Sequence, residues 1–401
     1  MQATVIQPSF AAYRQSSQRA CVAAERWLYT YGCGCRTVSV MAQSREQLQA
    51  QLALAVQDSD IIVLLDYLSC PAKEAVCACL GINAVEDEGI RAQYAVGKKT
   101  KDTKALWVIP ENAKRLPSGS ELPELVLEHN GKRVFFLLET EPVAAFMLEG
   151  VCSEIPRKVF KLCGLTQFEV ASGMSLLLRD VGRFASYYVY DNGGLDITLS
   201  VCLKPRKRRD PAYETVIEQT FSSVYRYFQS NLYAEEDVTL EETLIKLLRH
   251  YNYALGVAES LTGGLICDRI VSQPGASEVF YEGAVTYASH AKIHRLGVPE
   301  QIIRQKGAIS NETADAMVRG LAASGVDIAI ATTGLAGPMP DEGKPVGLTY
   351  IAVWHEGKTH VFKRQFAGSR SEVRLAAANA ALFYAICSVT KRNLYTGLHI
   401  S

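Results

Sequence analysis

The stretch Ala254-Leu-Gly-Val-Ala-Glu-Ser-Leu-Thr-Gly-Gly264 decides the fold of the C-terminal part of this chain. Its apolar first half predicts a buried strand, and a helix is predicted from about Leu265. A similar strand, Asp327–Ala331, runs into Thr332-Thr-Gly-Leu-Ala-Gly-Pro338. In open α/β sheets, ligands bind beyond the carboxyl ends of the strands, and a helix start offers free N–H groups to an anion. The two turns therefore predict a ligand site between them, although ordinary tight turns fit the spacing equally well.

The rest of this part continues the alternation of strands and helices, so we predict an α/β domain over residues 240–401. Thr239 and Glu242 form a predicted capping box at the start of its first helix. The further predicted elements are a strand at Ala284–Tyr287, an amphipathic helix at Thr313–Ala323, antiparallel strands at Gly347–Trp354 and Thr359–Phe366, and an Ala-rich helix at Ser371–Ser388.

The N-terminal part shows the same alternation. Asp60–Leu65 and Arg133–Leu138 are short apolar runs typical of strands buried on both faces. Helical spacing occurs at Arg45–Val56 and Pro71–Leu80. This pattern predicts a three-layer, parallel α/β domain over residues 1–155.

The middle part, residues 157–235, differs from both. Lys158–Cys163 and Leu195–Cys202 alternate like half-exposed strands, and Pro211–Leu232 reads as a helix. The basic run Lys204–Arg209 (KPRKRR) lies between them. We predict a small α+β domain that connects the two α/β domains.

Composition excludes several classes of protein. The chain of 401 residues carries 42 Lys plus Arg and 42 Asp plus Glu, and this balance argues against a dedicated nucleic-acid or membrane-surface binder. No apolar run approaches the ~18 residues of a membrane span, and the first residues do not resemble a signal peptide. The 11 cysteines are expected to be reduced thiols. These observations favour a cytoplasmic protein.

Five separated motifs resemble the C-terminal domain of the CinA family, the nicotinamide-mononucleotide deamidases. They are GVAESLTGGLICDRIVSQPGASEVFYEGAVTYASHAKIHRLGV, KGAISNETADAM, TTGLAGP, KPVGLTYIAV and FAGSRSEVR, in this order over residues 250–390. The resemblance implies hydrolysis of the carboxamide of nicotinamide mononucleotide to nicotinate mononucleotide and ammonia, in pyridine-nucleotide salvage. It also implies a homodimer.

The resemblance places the family's nucleophile on Ser260, its basic partner on Lys292 and its tyrosine on Tyr287. A serine hydroxyl is a weak nucleophile until a neighbouring base takes its proton, and a desolvated lysine can act as that base. Backbone N–H groups of the segment Thr262, Gly263 and Gly264 are candidate oxyanion donors. This chemistry needs no cofactor.

The substrate also carries a phosphate. Arg370 and Arg374 stand four residues apart at a predicted helix start, so both side chains can lie on one face and bind phosphate oxygens. A solvated helix face is the alternative for these arginines. Thr333 and Gly334 of the second turn are candidates for holding the pyridine or ribose end.

Other assignments compete for the same segment. Ser289 and Lys292 have S-x-x-K spacing, which would make Ser289 the nucleophile, but the companion S-D-N and K-T-G motifs are absent. His290 and His294 have helical spacing suited to a metal, yet exposed histidines without a third ligand are the simpler interpretation.

The first domain resembles the family's molybdopterin-binding-like domain in length and strand order, but its site motifs are missing. The expected Gly-Gly-x-Gly-Pro-Thr turn is replaced by Leu65-Asp-Tyr-Leu-Ser-Cys-Pro71, and the expected Pro-Gly-x-Pro-x-Glu turn by Glu139-Thr-Glu-Pro142. The expected Gly-x-Glu is replaced by Gln7–Phe10. Because phosphate turns need glycine and a hydrolytic metal needs carboxylates, we expect the divalent metal site and the ADP-ribose pyrophosphatase activity to be lost. A rebuilt acidic site would use the carboxylates Asp66, Glu74, Glu139 and Glu141.

The middle part resembles the family's KH-type domain. A KH domain clamps nucleic acid with a GXXG loop, whereas this segment offers Asp191-Asn-Gly-Gly-Leu195. Nucleic-acid binding is therefore not expected. The second functional hypothesis is a regulatory protein that binds a pyridine nucleotide without turnover.

Overall fold

The computed structural model describes residues 2–8, 21–25, 27–28, 33–40, 44–65, 72–95, 107–116, 124–138, 156–179, 185–203, 211–340 and 343–392. The chain divides into two compact units. The first comprises residues 1–157, 184–188 and 200–208, and the second comprises residues 158–183, 189–199 and 209–401. The predicted connector, residues 157–235, is shared between the two units, and the three-domain division stays a prediction.

The first unit is built on a mixed sheet. Its described strands are β1 (Gln2–Pro8), β2 (Gly34–Val40), β3 (Ile61–Leu65), β4 (Ala84–Glu86), β5 (Val108–Pro110), β6 (Lys114–Arg115), β7 (Leu125–His129) and β8 (Lys132–Leu137). Its described helices are α1 (Arg45–Asp58), α2 (Ala72–Leu80) and α3 (Glu88–Ala95). Within the described residues the main sheet has the order β2-β1-β3-β8-β7-β6, and β4 pairs with β5 separately.

Both faces of this sheet are covered, as the apolar run at Asp60–Leu65 predicted. Ile61, Val63 and Leu65 join one apolar cluster, whereas Ile62 and Leu64 join the other. The predicted parallel pairing holds for β1, β2, β3 and β8 but not at the edge formed by β7 and β6. β7 and β8 pair antiparallel because a tight turn with positive φ at Asn130 and Gly131 connects them directly.

The middle part forms a four-stranded sheet of order β10-β11-β9-β12. The elements are β9 (Arg157–Cys163), α4 (Gln167–Leu177), β10 (Ala185–Gly193), β11 (Asp196–Leu203), α5 (Pro211–Phe228) and β12 (Leu232–Ala234). The prediction of half-exposed strands was wrong: all of β11 and most of β9 are buried, since they are the central strands. Their polar side chains satisfy each other, with Lys161 Nζ donating to Thr198 Oγ1 over 2.7 Å.

The C-terminal part contains the candidate site. Its elements are α6 (Leu240–Tyr251), β13 (Leu255–Glu259), α7 (Leu265–Val271), a 3-10 turn (Ala276–Glu278), β14 (Phe280–Val285), α8 (Ser289–Leu296), α9 (Glu300–Lys306), α10 (Asn311–Ala322), β15 (Ile328–Gly334), β16 (Leu348–His355), β17 (Lys358–Gln365) and α11 (Arg370–Val389). The Thr239–Glu242 capping box is confirmed. The predicted strand at Ala284–Tyr287 instead runs over β14, and the segment Thr332–Gly334 belongs to a strand rather than to a turn.

The sheet of this part has the order β14-β13-β15-β16-β17. β13 pairs parallel with both neighbours, whereas β15–β16 and β16–β17 are antiparallel, as predicted for the last pair. The carboxyl ends of β14, β13 and β15 therefore meet at one edge of the sheet. Leu255 and Val257 pack with α6, α7 and α11, while Ala258 packs on the opposite face with α8 and α10.

Two helices of this part are notable, α10 for its close approach to α8 and α11 for its apolar composition. α10 approaches the end of α8 so closely that a Cβ on Gly320 would lie 1.8 Å from the carbonyl oxygen of Leu296. α11 is, among the described residues, a helix long and apolar enough to cross a membrane by length and composition, but 78% of that window is buried inside the protein. Burial of this kind is expected of a core helix, so its apolar composition is weak support for a membrane span.

Candidate functional site

Ser260 follows the last residue of β13, the middle one of the three parallel strands, and is 7% exposed. Its backbone N–H donates to Thr332 O over 3.0 Å, which joins the start of the Ser260 turn to β15. On the other side, the amide of Thr286 donates to Glu259 O over 2.8 Å. Ser260 therefore lies at the centre of the edge where the three parallel strands end.

Lys292 reaches this serine from α8. The side chain is 1% exposed, and its Nζ lies 3.0 Å from Ser260 Oγ. The same Nζ donates to Thr286 O over 2.9 Å and to Tyr287 O over 3.0 Å. The structure thus brings together the two residues that the resemblance paired, and it joins Lys292 to Ser260 rather than to Ser289 one helical turn away.

The buried carboxylate of Glu259 orders the turn that carries Ser260, and the sequence interpretation missed it. The residue is fully buried, and its Oε2 accepts from the amides of Gly264 (2.9 Å) and Ile266 (3.2 Å). Its Oε1 accepts from the amide of Cys267 over 2.8 Å. A negative charge at the start of α7 also complements the helix dipole. A carboxylate at the end of an otherwise apolar strand was the available signal, because a buried charge requires partners.

Arg374 does not point into the candidate site. Its Nε and Nη2 donate to Thr262 O over 3.2 and 2.7 Å, so the guanidinium holds the backbone of the Ser260 turn. The Thr262 hydroxyl is paired with Thr332 Oγ1 at 2.8 Å. The arrangement indicates a structural role for Arg374 in this conformation, and its predicted phosphate contact stays a prediction.

Arg370 lies at the mouth of the site. Its Nη1 donates to Gly337 O over 2.6 Å, and its Nη2 donates to the Tyr287 hydroxyl over 2.8 Å. Tyr287 is 60% exposed, so this pair lies at the solvent-facing side of the site. Of the two predicted arginines, Arg370 is the one available to an anionic ligand.

A cavity of about 310 Å³ joins these groups. Its lining includes the candidate nucleophile and base together with several apolar residues. The lining residues are Ser260, Leu261, Tyr287, Ala288, Ser289, Lys292, Ala308, Ile309, Thr333, Gly334, Leu335, Ala336 and Arg370. Six of the predicted site residues therefore line one cavity. The other four, Thr262, Gly263, Gly264 and Arg374, are not among its lining residues.

The amides of the Ser260 turn are largely committed to internal hydrogen bonds. Gly263 N donates to Ser260 O over 3.1 Å, and Gly264 N donates to the Glu259 carboxylate. These two amides are therefore not oriented toward a ligand carbonyl, contrary to the predicted oxyanion donors. Leu261, the residue after the serine, lines the cavity, so its backbone amide is the remaining candidate by chain position.

The second predicted turn contributes two neighbouring positions to the cavity. Thr333 is buried and donates from Oγ1 to Ala308 O over 2.7 Å, which joins the end of β15 to the loop before α10. Gly334 lies so close to β16 that a Cβ would stand 2.6 Å from Leu348 O. Strand packing is therefore sufficient to require glycine there.

The metal alternatives gain no support. The rings of His290 and His294 lie 4.0 Å apart on the exposed side of α8. Over the part of the chain that the structure describes, no group of three His, Cys, Asp or Glu side chains is placed to hold a metal. Of the acidic alternative, Glu74 is described and exposed on α2, while Asp66, Glu139 and Glu141 lie outside the described residues.

Fold and site together define an α/β protein with a buried serine–lysine pair at the carboxyl end of a mixed sheet. Residues 237–387 match the family model described as CinA C-terminal domain. The chain is 31% identical over 355 residues to a "Putative competence-damage inducible protein" of Caldicellulosiruptor saccharolyticus, covering 82% of this chain and 84% of that protein. It is 34% identical over 299 residues to a protein of the same name in Clostridium beijerinckii, covering 71% of each chain. The chain therefore belongs to the CinA family of competence-damage inducible proteins.

A solved structure of the competence/damage inducible protein CihA from Agrobacterium tumefaciens is 34% identical, covers 37% of this chain and 92% of that chain, and superposes with a TM-score of 0.36.

Proposed function

We propose that this protein is an amidohydrolase that converts nicotinamide mononucleotide and water into nicotinate mononucleotide and ammonia, with Ser260 as nucleophile and Lys292 as general base. The observation that carries the proposal is the 3.0 Å contact between Lys292 Nζ and Ser260 Oγ at the wall of a cavity. Both residues are buried, and burial disfavours the charged form of an amine.

The partners of Lys292 suit the role of a base. A neutral amine has two N–H groups and one lone pair. The carbonyl oxygens of Thr286 and Tyr287 accept the two N–H groups, which directs the lone pair at the Ser260 hydroxyl. In this state Ser260 donates its proton to Lys292 while Oγ attacks the carboxamide carbon.

The remaining steps pass two protons through Lys292, first that of the serine and then one from water. Lys292 returns it to the amide nitrogen, the C–N bond breaks, and ammonia leaves an ester on Ser260. A water molecule then attacks this ester, Lys292 accepts one of its protons, and Ser260 Oγ takes that proton as the acid departs. We assign the Leu261 amide as a donor to the carbonyl oxygen while it carries negative charge, because Leu261 follows the nucleophile and lines the cavity. Such a donor is worth about 3–4 kcal/mol in other acyl-transfer enzymes.

The cavity also suits the other parts of the substrate. Leu261, Ile309 and Leu335 provide an apolar wall for a pyridine ring. Arg370 provides a guanidinium for the phosphate, which would exchange its hydrogen bond to Tyr287 for a charge-assisted one.

Ammonia release from nicotinamide mononucleotide, measured after treatment with a metal chelator, tests the proposal. Ser260→Ala and Lys292→Met are expected to lose at least ~1000-fold in kcat, the scale set by removing a nucleophile or its base. Ser289→Ala is the matched control, because this serine lines the same cavity without bonding Lys292, and it should keep turnover within about 3-fold. If the wild-type protein binds the nucleotide without releasing ammonia, the amidase proposal is refuted and the regulatory hypothesis takes its place.

Three further parts of the proposal come from the sequence. A cytoplasmic location follows from composition, assembly as a homodimer from the family resemblance, and loss of pyrophosphatase activity from the site motifs that the first domain lacks. Light scattering and an ADP-ribose hydrolysis assay with added divalent metal test the last two.

A further inference from the structure

The buried side chain of Asn379 connects three segments around the candidate site. Asn379 lies on α11 and is 2% exposed. Its Oδ1 accepts from Arg269 Nη1 over 2.6 Å, and its Nδ2 donates to Gly193 O (3.0 Å) and Gly194 O (2.9 Å). Both ends of the amide are satisfied, so its orientation is defined by its partners.

Arg269 extends this connection to a third helix. Its Nη2 donates to Glu241 Oε2 over 2.7 Å, and the two side chains are only 16% and 10% exposed. Arg269 lies on α7, the helix that begins directly after the Ser260 turn. The guanidinium therefore joins α7 to α6 and α11 through hydrogen bonds that are stronger than neutral ones.

The tip between β10 and β11, residues 193–195, packs directly on α11. A Cβ on Gly194, whose φ is +60°, would lie 2.8 Å from Leu375 Cγ and 2.9 Å from the backbone nitrogen of Ala376. Leu195 packs against the apolar cluster of α6, α7 and α11. The segment Asp191–Leu195, which does not match a GXXG loop, thus packs against α11 through its residues 193–195.

Two cross-links consequently join α11 to the segment that carries the nucleophile. Arg374 holds Thr262 O within the Ser260 turn, and Asn379 holds Arg269 on the following helix. Together they connect α7 and the turn before it to α11 at two points, and α11 also carries Arg370 at the cavity mouth.

We propose that the tip at residues 193–195 and the Asn379–Arg269 pair are positioning elements, which hold the Ser260 turn in register with α11. The inference rests on the proposed amidase function for its main readout. These residues do not line the cavity. They therefore act on Ser260 through α7 and through α11, the helix that carries Arg374, rather than on the ligand.

Asn379→Leu in the full-length protein tests the inference. It removes all three hydrogen bonds and keeps a similar volume. We expect kcat for ammonia release to fall about 10- to 100-fold, the scale of a misplacement of about 1 Å, while KM changes less than about 3-fold. Labelling of Ser260 by an alkyl fluorophosphonate should slow by a similar factor, and this readout does not depend on the natural substrate.

Thr220→Val is the control, since it removes a buried hydrogen bond to Val216 O on α5, away from the network. It should leave kcat and the labelling rate unchanged. If Asn379→Leu does not fold, the same measurements are made on Arg269→Lys, because lysine keeps the positive charge beside Glu241 but loses the hydrogen bond to Asn379. Folded variants with wild-type labelling rates would overturn the positioning role. A wild type that labels at Ser260 but releases no ammonia would instead refute the amidase function and leave the positioning role testable.

Discussion

Replacing Glu259 by glutamine keeps the size of the side chain but removes the negative charge at the start of α7. The best orientation of the new amide leaves its oxygen at the Oε2 position, where it still accepts from Gly264 and Ile266. Its NH2 group then faces the amide of Cys267, so that a donor meets a donor at the site of a 2.8 Å hydrogen bond.

The expected loss of stability follows from this geometry. A hydrogen bond to a charged group contributes about 1.5–3 kcal/mol, and a negative charge at a helix N-terminus contributes about 0.3–1 kcal/mol. Burying a neutral amide is less unfavourable than burying a carboxylate, which offsets part of the loss. We expect the free energy of unfolding to fall by about 2 kcal/mol in urea titrations.

The thiol of Cys267 gives a second, local readout. Burial, and then the hydrogen bond and charge of Glu259, raise the pKa of this thiol well above its usual range. Glu259→Gln leaves the burial but removes the charge, so the pKa should fall and more thiolate should be present at a given pH. Alkylation of Cys267 by iodoacetamide at pH 9, followed by mass spectrometry, should therefore be faster in the variant.

Cys79 is the control within the same molecule, because burial alone raises its pKa. Equal acceleration at both cysteines would mean general loosening of the fold. An unchanged Cys267 rate together with unchanged stability would refute the role assigned to the carboxylate.

Two further predictions concern the mouth of the cavity and the far end of the sheet. Arg370→Gln should raise KM for nicotinamide mononucleotide about 10- to 100-fold, because a charge-assisted hydrogen bond is lost, and should leave KM for nicotinamide riboside unchanged; equal effects on both would exclude a phosphate contact. His355 is buried, and its burial lowers the pKa of the imidazole, so the unfolded chain binds its proton more readily than the folded one. The contribution of His355 to stability is complete above the unfolded pKa of about 6.5 and is lost as the pH falls. His355→Phe should therefore flatten the decrease of the unfolding free energy below that pH. An unchanged slope in the variant would contradict this assignment.

Local signals predicted the elements well where one chemical preference dominated. The capping box at Thr239 and Glu242 is present, and the run at Asp60–Leu65 forms a strand whose residues divide between two cores. Alternation was misleading at β9 and β11, because Lys161 and Thr198 look solvent-facing in the sequence but bond to each other inside the protein. A periodic pattern cannot distinguish a polar residue that faces water from one that faces a buried partner.

The candidate site was predictable in part. Ser260 and Lys292 stand 32 residues apart, and their pairing came from the family resemblance because no spacing rule connects them. Arg370 and Arg374 share a helix face, yet one donates to Gly337 O and the Tyr287 hydroxyl and the other donates to a backbone carbonyl. Spacing along a helix gives the direction of a side chain, but what it meets depends on the tertiary fold.

The contact between Gly320 and Leu296 reverses a familiar rule about helices. Alanine normally stabilises a helix interior relative to glycine by about 0.5–1 kcal/mol. At Gly320 the added methyl group would overlap a backbone carbonyl at the end of α8, the helix that carries Lys292. A substitution that promotes helix formation elsewhere would here displace α8. It would do so from the face of α10 that packs against α8, and position 320 does not line the cavity. Consensus-style engineering of this protein for thermal stability should therefore leave position 320 unchanged.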